Sequence, residues 1–154
     1  MAPLDQIDKF ILASLQTDAS ISNAELAEEV GLSPSACLSR TRNLKKQGII
    51  KKFSAVIDER KVGLAVMAFS FVTLSPHNRT VAEAFCEQIQ NLPQVVECYN
   101  ITGNWDYLLK IVSPTMETYR DFIMDSLLTI NAVNKVETMM VLKSEKQGGV
   151  LPLS

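Results

Sequence analysis

The sequence has few of the side chains from which catalytic centres are usually built. Among its 154 residues there is a single histidine, His77, which follows Pro76 in a predicted loop. No nucleophile–His–acid set, metal-ligand spacing or phosphate-binding glycine loop occurs in the sequence, and these patterns underlie most enzyme sites. We therefore expect a protein that is not an enzyme, with no metal and no catalytic cofactor. Catalysis by dispersed carboxylates is the alternative left open.

Cysteines and long apolar runs are also scarce. Cys37, Cys86 and Cys98 are far apart and form no C-x-x-C pair. The N-terminus has neither the basic region nor the apolar stretch of a signal peptide, and no apolar run is long enough to span a bilayer. We therefore expect a cytoplasmic protein with free thiols. We interpret the cysteines as small buried hydrophobic residues, with redox sensing as the alternative.

The chain has no net positive charge, but its cations are concentrated in one segment. The chain as a whole carries a net charge of −2, which is not typical of a nucleic-acid binder. Residues 34–62, however, contain eight cations and two acids, a net charge of +6, whereas residues 1–33 carry −5 and residues 63–154 carry −3. Phosphate contacts depend on local charge density rather than on net charge. The middle segment is therefore a candidate nucleic-acid interface.

The same segment has the sequence signals of two short helices joined by a tight turn. Ser22 and Glu25 have the spacing of a capping box. Gly31 is placed to end the first helix, because glycine adopts the left-handed conformation at low cost. Ser33-Pro34 then opens the second helix as N-cap and first helical residue, and Gly48 follows its end. This spacing predicts a helix-turn-helix motif.

The second of these helices has two contrasting faces. Cys37, Thr41 and Leu44 share one face, and small polar and cationic residues share the other. Short side chains let a backbone approach the major groove, and arginine can reach guanine edges or phosphates. An ordinary helix hairpin with a solvated basic face is the alternative. The candidate DNA-binding residues are Ser33, Pro34, Ser35, Leu38, Ser39, Arg40, Arg42 and Lys46, with Lys51 and Lys52 in the segment behind them.

The remaining N-terminal elements complete a small domain. Residues 4–15 form a predicted amphipathic helix that packs across the other two, with Ile7, Phe10, Ile11 and Leu15 on its inner side. Residues 49–57 are rich in β-formers and predict a strand, followed by a charged hinge at 58–63. We thus expect a helix-turn-helix domain at 1–50, a basic strand and hinge at 51–63, an effector and oligomerisation domain at 64–142, and a loose tail at 143–154.

The C-terminal domain alternates predicted strands and helices. Strands are predicted at 64–74, 95–102, 107–112 and 133–142, with a hairpin around the turn at 103–106. One helix is predicted from a Thr80–Glu83 capping box to Leu92, and another opens at Ser113-Pro114. The order β-α-β-β-α-β is that of a ferredoxin-like sandwich. The fold class is therefore α+β, a three-helix helix-turn-helix domain linked to a ferredoxin-like βαββαβ sandwich.

One face of that predicted sheet has no helices to cover it. Phe69, Phe71, Met139 and Val141 alternate onto this face, which would expose an apolar area. Such areas usually mark a partner surface, and the simplest partner is a second copy related by a two-fold axis. A dimer would also place two recognition helices about one DNA turn, roughly 34 Å, apart.

Five segments of the sequence form a recognisable pattern: Asn23–Ala27, Gly31–Ser35, Arg40–Leu44, Gly48–Ile50 and Thr102–Tyr107. Through them both halves of the sequence resemble one known family, the Lrp/AsnC (leucine-responsive, feast/famine) transcription regulators. The resemblance covers essentially the whole chain in the right order and spacing. Ser39 and Thr41 stand where many relatives carry other residues, so no operator sequence is carried over. The Asn104-Trp105 pair is variable in the family, so no ligand identity is carried over either.

The resemblance implies a DNA-binding domain, a hinge, an amino-acid effector domain, and dimers that assemble into octamers or similar rings. It also implies that the Gly103-x-x-Asp106 turn lies between dimers and helps to hold a small amino acid. Turn N–H groups can hold an α-carboxylate and Asp106 an α-ammonium. The alternative is that Asp106 only caps the hairpin. The candidate effector-binding residues are Tyr99, Thr102, Gly103, Asn104, Trp105 and Asp106.

The resulting hypothesis is a sequence-specific DNA-binding transcriptional regulator whose assembly or operator binding responds to a small amino acid. The alternative is a DNA-organising protein without a ligand response. Both would use the helix-turn-helix, and they differ only at the turn from Gly103 to Asp106.

Overall fold

Two separate hydrophobic cores organise the chain in the computed structural model, which describes residues 4–153. The first unit comprises the chain up to Val56 together with the segment that begins at Lys146. The second unit runs from Ile57 to Glu145. No helix within residues 4–153 is both long enough and apolar enough to cross a membrane.

Three helices make up the first unit: α1 (Gln6–Thr17), α2 (Asn23–Glu29) and α3 (Pro34–Lys46). Their ends confirm the predicted signals. The capping box of Ser22 and Glu25 is formed in both directions, and the Ser33 hydroxyl accepts a hydrogen bond from the backbone N–H of Ala36. Gly31 and Gly48 follow α2 and α3 with φ angles of +68° and +74°, in the left-handed region that favours glycine.

The core of the first unit differs from prediction at two positions of α1, Phe10 and Leu12. The buried residues of this core are Ile11, Leu12, Leu26, Ala27, Cys37 and Leu44, with Ile7 and Leu15 packed against them. Phe10, which we predicted to face inward, is 63% exposed. The reason is geometric, because Phe10 lies about 200° around the helix from Leu12.

The segment after α3 is not a strand. The prediction of a strand at 49–57 is wrong, since residues 51–58 have no regular secondary structure. Residues that favour β structure form a strand only when a neighbouring strand supplies hydrogen-bond partners. The four-stranded sheet is built entirely from residues 66–140. The segment therefore leaves the first unit as irregular chain, with Phe53, Val56 and Ile57 exposed.

The C-terminal tail also departs from prediction, because it packs onto the first unit. The backbone N–H of Leu151 donates to Gln16 Oε1 at 2.7 Å, and Gln16 Nε2 donates back to the Leu151 carbonyl at 3.4 Å. Leu153 packs against the core of the first unit. A side-chain amide that pairs with a backbone N–H and C=O imitates a strand partner, so the tail is docked rather than loose.

The second unit has the predicted βαββαβ order. Its strands are β1 (Val66–Leu74), β2 (Val95–Asn100), β3 (Tyr107–Ser113) and β4 (Val133–Met140). Its helices are α4 (Arg79–Gln90) and α5 (Met116–Phe122), the latter continued by a π-helical turn at Ile123–Leu127. The sheet order is β2-β3-β1-β4 and every neighbouring pair is antiparallel. The predicted fold class is thus confirmed.

Both helix starts in this unit lie at different residues from those predicted. The N-cap of α4 is Asn78, whose side chain accepts from the N–H of Val81, so the Thr80–Glu83 capping box is wrong. Glu83 instead pairs with Arg79 at 2.7 Å. The cap of α5 is Thr115, because Ser113 is still part of β3. Several polar residues stand near each start, and the sequence alone does not select among them.

The inner sheet face packs on α4 and α5 to form the second core. The inward strand residues include Ala68, Val72, Leu109 and Ile111, and the helices contribute Phe85, Ile89, Tyr119, Phe122 and Leu127. The prediction that the three cysteines are buried is confirmed only in part. Cys37 is fully buried and Cys86 is half-buried against this core, but Cys98 is exposed because β2 is an edge strand.

The opposite sheet face is open, and its centre is apolar. Phe69 pairs with Met139 across β1 and β4, and Phe71 pairs with Leu108 across β1 and β3. Met139 is 55% exposed. Two charged pairs lie on the sheet beside these residues: Lys110, opposite Phe69, contacts Glu97, and Lys135 contacts Glu137, which is opposite Phe71. The predicted uncovered face is therefore present, and its apolar residues alternate with charged pairs.

Candidate functional site

The outer face of α3 presents a mixed polar and cationic surface. Ser35, Leu38, Ser39, Arg42 and Lys46 are all exposed, while Cys37 and Leu44 hold the opposite face in the core. A shallow depression lies on this outer face, lined by Ser39, Arg40, Arg42, Asn43 and Lys46. The helix is therefore fixed by its buried side and leaves its predicted DNA-facing side free.

Arg40 differs from the other predicted DNA-binding residues. Its Nη1 atom lies 2.6 Å from a carboxylate oxygen of Asp5 and 2.9 Å from one of Asp8, so it ties α3 to the start of α1. These two contacts raise the pKa of Arg40. The pKa of Asp5 is lowered, first by the N–H of Asp8 and then by Arg40. In this structure the guanidinium is engaged with carboxylates and is not a free cation for phosphate.

Two further residues predicted to bind DNA, Ser33 and Pro34, make structural hydrogen bonds at the start of α3. The hydroxyl of Ser33 caps the helix, and the carbonyl of Pro34 accepts a hydrogen bond of 2.8 Å from Asn23 Nδ2. Asn23 is the first residue of α2. This bond links the first residue of α2 to the first residue of α3.

The predicted basic residues behind α3 lie on irregular chain. Lys51 and Lys52 are exposed and border an open apolar groove of about 930 Å³ in the first unit, together with the end of α1 and the tail. Lys45 Nζ lies 5.8 Å from the ring centroid of Phe53, a cation–π contact that holds this segment near α3. The contact therefore keeps Phe53, the residue that follows Lys51 and Lys52, near the end of α3.

The predicted effector turn lies between β2 and β3. Gly103 has a φ of +111°, which only glycine adopts readily, and Thr102, Gly103 and Asn104 are exposed. Trp105 folds back onto the open sheet face. Its ring centroid is 5.8 Å from that of Phe71, and Lys135 Nζ lies 4.5 Å from its centre. The turn therefore has exposed backbone next to an aromatic side chain, and the ammonium group of Lys135 lies over the ring of that side chain.

Tyr99 lies in the same row of the open face. It pairs with Leu108, which pairs in turn with Phe71. The hydroxyl of Tyr99 donates to Glu97, which also contacts Lys110 Nζ at 3.2 Å. These two contacts lower the pKa of Glu97, the Tyr99 bond being the larger cause. The structure thus places Tyr99 and Trp105 on the same face of the sheet.

Asp106 is held firmly at the base of the turn. Its Oδ2 atom accepts a 2.7 Å hydrogen bond from the N–H of Leu74, and its own N–H donates to the carbonyl of Val72 at 2.9 Å. Asn100 Nδ2 donates to the Asp106 carbonyl at 3.0 Å. Part of the carboxylate therefore caps the end of β1, while Oδ1 faces His77 Nδ1 at 3.4 Å.

Sequence reasoning missed His77 and Lys135 as neighbours of this turn. The signal that could have found them is topological. In the βαββαβ order, β1 is antiparallel to both β3 and β4, and Val72 is paired with both Tyr107 and Val136. The loop that follows β1 must therefore reach the same sheet edge as the start of β3 and the start of β4.

Known families match both units. Residues 4–51 match the winged helix-turn-helix DNA-binding family. Residues 67–151, more than half of the chain, match the Lrp/AsnC ligand binding domain.

The chain belongs to the Lrp/AsnC family.

Individual proteins of the Lrp/AsnC family match over nearly the full chain. The chain is 51% identical over 150 residues to the transcriptional regulator AzlB of Bacillus subtilis (strain 168), covering 97% of this chain and 96% of that protein. It is 38% identical over 148 residues to the leucine-responsive regulatory protein of Escherichia coli (strain K12), covering 96% and 90%.

A solved structure matches equally fully. The transcriptional regulator NMB0573 of Neisseria meningitidis, solved as a complex with L-Met, superimposes with a TM-score of 0.91 at 34% identity and covers 97% of this chain and 96% of that one. The resemblance seen in the sequence is confirmed. This member of the Lrp/AsnC family is a helix-turn-helix DNA-binding transcriptional regulator that carries the family's ligand-binding domain.

Proposed function

We propose that this Lrp/AsnC-family regulator binds a specific operator through the outer face of α3. The observation that supports this most directly is the exposed row of Ser35, Ser39, Arg42 and Lys46, which starts at the helix N-terminus and is backed by a buried face. Arg42 is placed to read a base edge, and Lys46, one turn further on, to contact phosphate. Lys51 and Lys52 add sequence-independent affinity. Arg40 serves to hold α3 on α1.

The ligand of the second unit is a small amino acid in this proposal, and its site is the turn from Thr102 to Asp106. Exposed backbone around Gly103 suits an α-carboxylate, and Asp106 Oδ1 suits an α-ammonium. The aromatic wall of Trp105 and Phe71, with Tyr99 in the same row, favours an apolar or medium-sized side chain. The NMB0573 relative, which shares the fold with a TM-score of 0.91, was solved with L-Met, and this supports the choice of ligand class.

We further propose that the protein acts as a homodimer that assembles into an octamer or similar ring, in the cytoplasm, without catalysing a reaction. The open apolar face around Phe69 and Met139 supports the dimer. Ligand binding between dimers would favour one assembly over another by its differential affinity. The DNA-reading helices would then be re-spaced, and operator occupancy would change without direct contact between ligand and DNA.

The test is a titration of the parent protein and of Asp106→Ala with leucine, methionine and the other amino acids. Asp106→Ala should abolish the amino-acid response and leave ligand-free DNA affinity nearly intact. Asp121→Ala is the matched control, because Asp121 is an exposed carboxylate of the same unit that pairs only with its neighbour Arg120 among the described residues. Equal responses from Asp106→Ala and the parent would place the site elsewhere. The absence of any response in the parent would favour the DNA-organising alternative.

A further inference from the structure

The two carboxylate oxygens of Asp106 are in different situations. Oδ2 accepts from the N–H of Leu74 at 2.7 Å, well within the range of a strong hydrogen bond. The backbone of Asp106 is fixed as well, because its N–H donates to Val72 and its carbonyl accepts from the N–H of Ile101 at 3.0 Å. The carboxylate therefore cannot turn easily, and Oδ1 is the oxygen that an α-ammonium would have to use.

His77 lies against that oxygen. Its Nδ1 atom is 3.4 Å from Asp106 Oδ1, longer than a normal N–H···O hydrogen bond. The His77 side chain is 71% exposed, whereas that of Asp106 is 28% exposed. A long contact from a mostly solvated ring is weak. The imidazole thus covers Asp106 Oδ1 but can be moved away at low cost.

The backbone around His77 is anchored, although its ring is not. The N–H of Asn78 donates to the carbonyl of Pro76 at 3.1 Å, and the Asn78 side chain caps α4 by accepting from Val81 at 2.9 Å. The loop therefore keeps the imidazole next to the turn. Rotation of the side chain alone can uncover the carboxylate.

We propose that His77 is a competitor, built into the protein, for the ammonium site of the effector. This inference rests on the amino-acid function proposed above. The incoming α-ammonium takes Asp106 Oδ1 at short range, with up to three donors, and the imidazole swings into solvent. His77 is thus a positioning residue that sets the ligand concentration at which the site fills.

His77 would compete with the α-ammonium group, which all amino acids share. Every α-ammonium must displace the same imidazole, so His77 should raise the Kd of each amino acid by the same factor. Trp105 and Phe71, by contrast, face the side chain and should control the order of preference among amino acids. This separation distinguishes displacement of His77 from a general loosening of the loop.

The experiment measures Kd by calorimetry for leucine, methionine and alanine with the parent protein, His77→Ala and His77→Asn. Arg79→Gln is the matched control, because Arg79 is a mostly exposed cation two residues further on that pairs with Glu83. Both His77 variants should bind every ligand about two- to fivefold more tightly, with the order of preference unchanged. Arg79→Gln should bind as the parent does. Far-UV circular dichroism with temperature checks that each variant is folded.

An unchanged or higher Kd in the folded His77 variants, or a changed order of preference, would overturn the inference. The outcomes also separate it from the proposed function. If the parent binds amino acids and Asp106→Ala does not, but the His77 variants bind as the parent does, only the competitor role fails. If the parent binds none of the amino acids, the proposed effector site fails, and the competitor role fails with it.

Discussion

Arg40 and Arg42 are two residues apart on α3 but point to different surroundings. Arg42 is exposed on the outer face, whereas Arg40 contacts Asp5 and Asp8 of the first helix and its cap. Arg42→Ala should therefore weaken operator binding by about 1–3 kcal/mol and relax base preference if Arg42 reads a base. Arg40→Ala should instead lower the thermal midpoint of unfolding. Fluorescence anisotropy with operator and scrambled DNA measures the first effect, and calorimetry the second.

Lys46→Ala is the control for this pair of variants. Removing a side chain that binds only phosphate should weaken operator and scrambled DNA alike and leave the thermal midpoint near that of the parent. Unchanged operator affinity in both Arg42→Ala and Lys46→Ala, with folding intact, would contradict the assignment of α3 as the recognition helix.

Cys98 is the cysteine most open to solvent, yet we expect it to react slowly. Partial burial, aided by the nearby Cys86, raises the pKa of the Cys98 thiol to about 11. At pH 8 only about one thiol in a thousand is then ionised, and the thiolate is the reactive form. Alkylation by iodoacetamide at pH 8, followed by peptide mass mapping, should be about a hundredfold slower at Cys98 in the native protein than in urea. Equal rates in the two states would contradict this expectation.

At the scale of elements, the segment that follows α3 should contribute to DNA affinity without contributing to sequence preference. Lys51 and Lys52 are exposed on irregular chain that follows α3. Replacing both with alanine should therefore reduce affinity for any DNA and flatten its dependence on salt, by up to about one unit of slope for each phosphate that is no longer neutralised. Binding titrations between 50 and 200 mM salt measure the slope. An unchanged slope would mean that this segment does not touch DNA.

Elements with a local signal were predictable from the sequence. The capping box at Ser22, the Ser33-Pro34 helix start and the glycines after α2 and α3 act within a few residues of themselves. The alternation of buried residues along β1 is equally local, and it gave the correct sheet face. These features needed no knowledge of distant partners.

Features that depend on distant partners could not be predicted in the same way. Arg40 looks like a free cation until Asp5 and Asp8 are brought to it, 35 and 32 residues away in the chain. The tail looks loose until Gln16 meets Leu151, 135 residues apart. His77 has no local signal either, because its contact with Asp106 requires the loop after β1 and the turn before β3 to meet at one end of the sheet.

At the scale of the whole molecule, we expect the second unit to drive assembly. A fragment of residues 63–145 contains the complete second core and the open sheet face. It should still form dimers or larger rings, because apolar residues such as Met139 remain uncovered on that face. Light scattering at micromolar concentration measures its mass. A monomer would contradict the assignment of the open face as an interface.

Two methionines provide a matched pair for the same test. Met139 lies on the open face and is 55% exposed, whereas Met124 lies in the π-helical turn and is 58% exposed. Met139→Glu should weaken assembly of the fragment, because a charge would be buried at the interface. Met124→Glu should leave assembly unchanged. Equal effects of the two substitutions would argue against the sheet face as the interface.

The docked tail makes the first unit discontinuous in sequence. This unit is built from two stretches, and the whole second unit is inserted between them. A cut of the chain after Glu145 would therefore remove a part of the first unit and not merely a terminal extension, because Gln16 would lose its backbone partners at Leu151 and the core would lose its contact with Leu153. The N-terminal helices of such a shortened protein should consequently unfold at a lower temperature than those of the full chain.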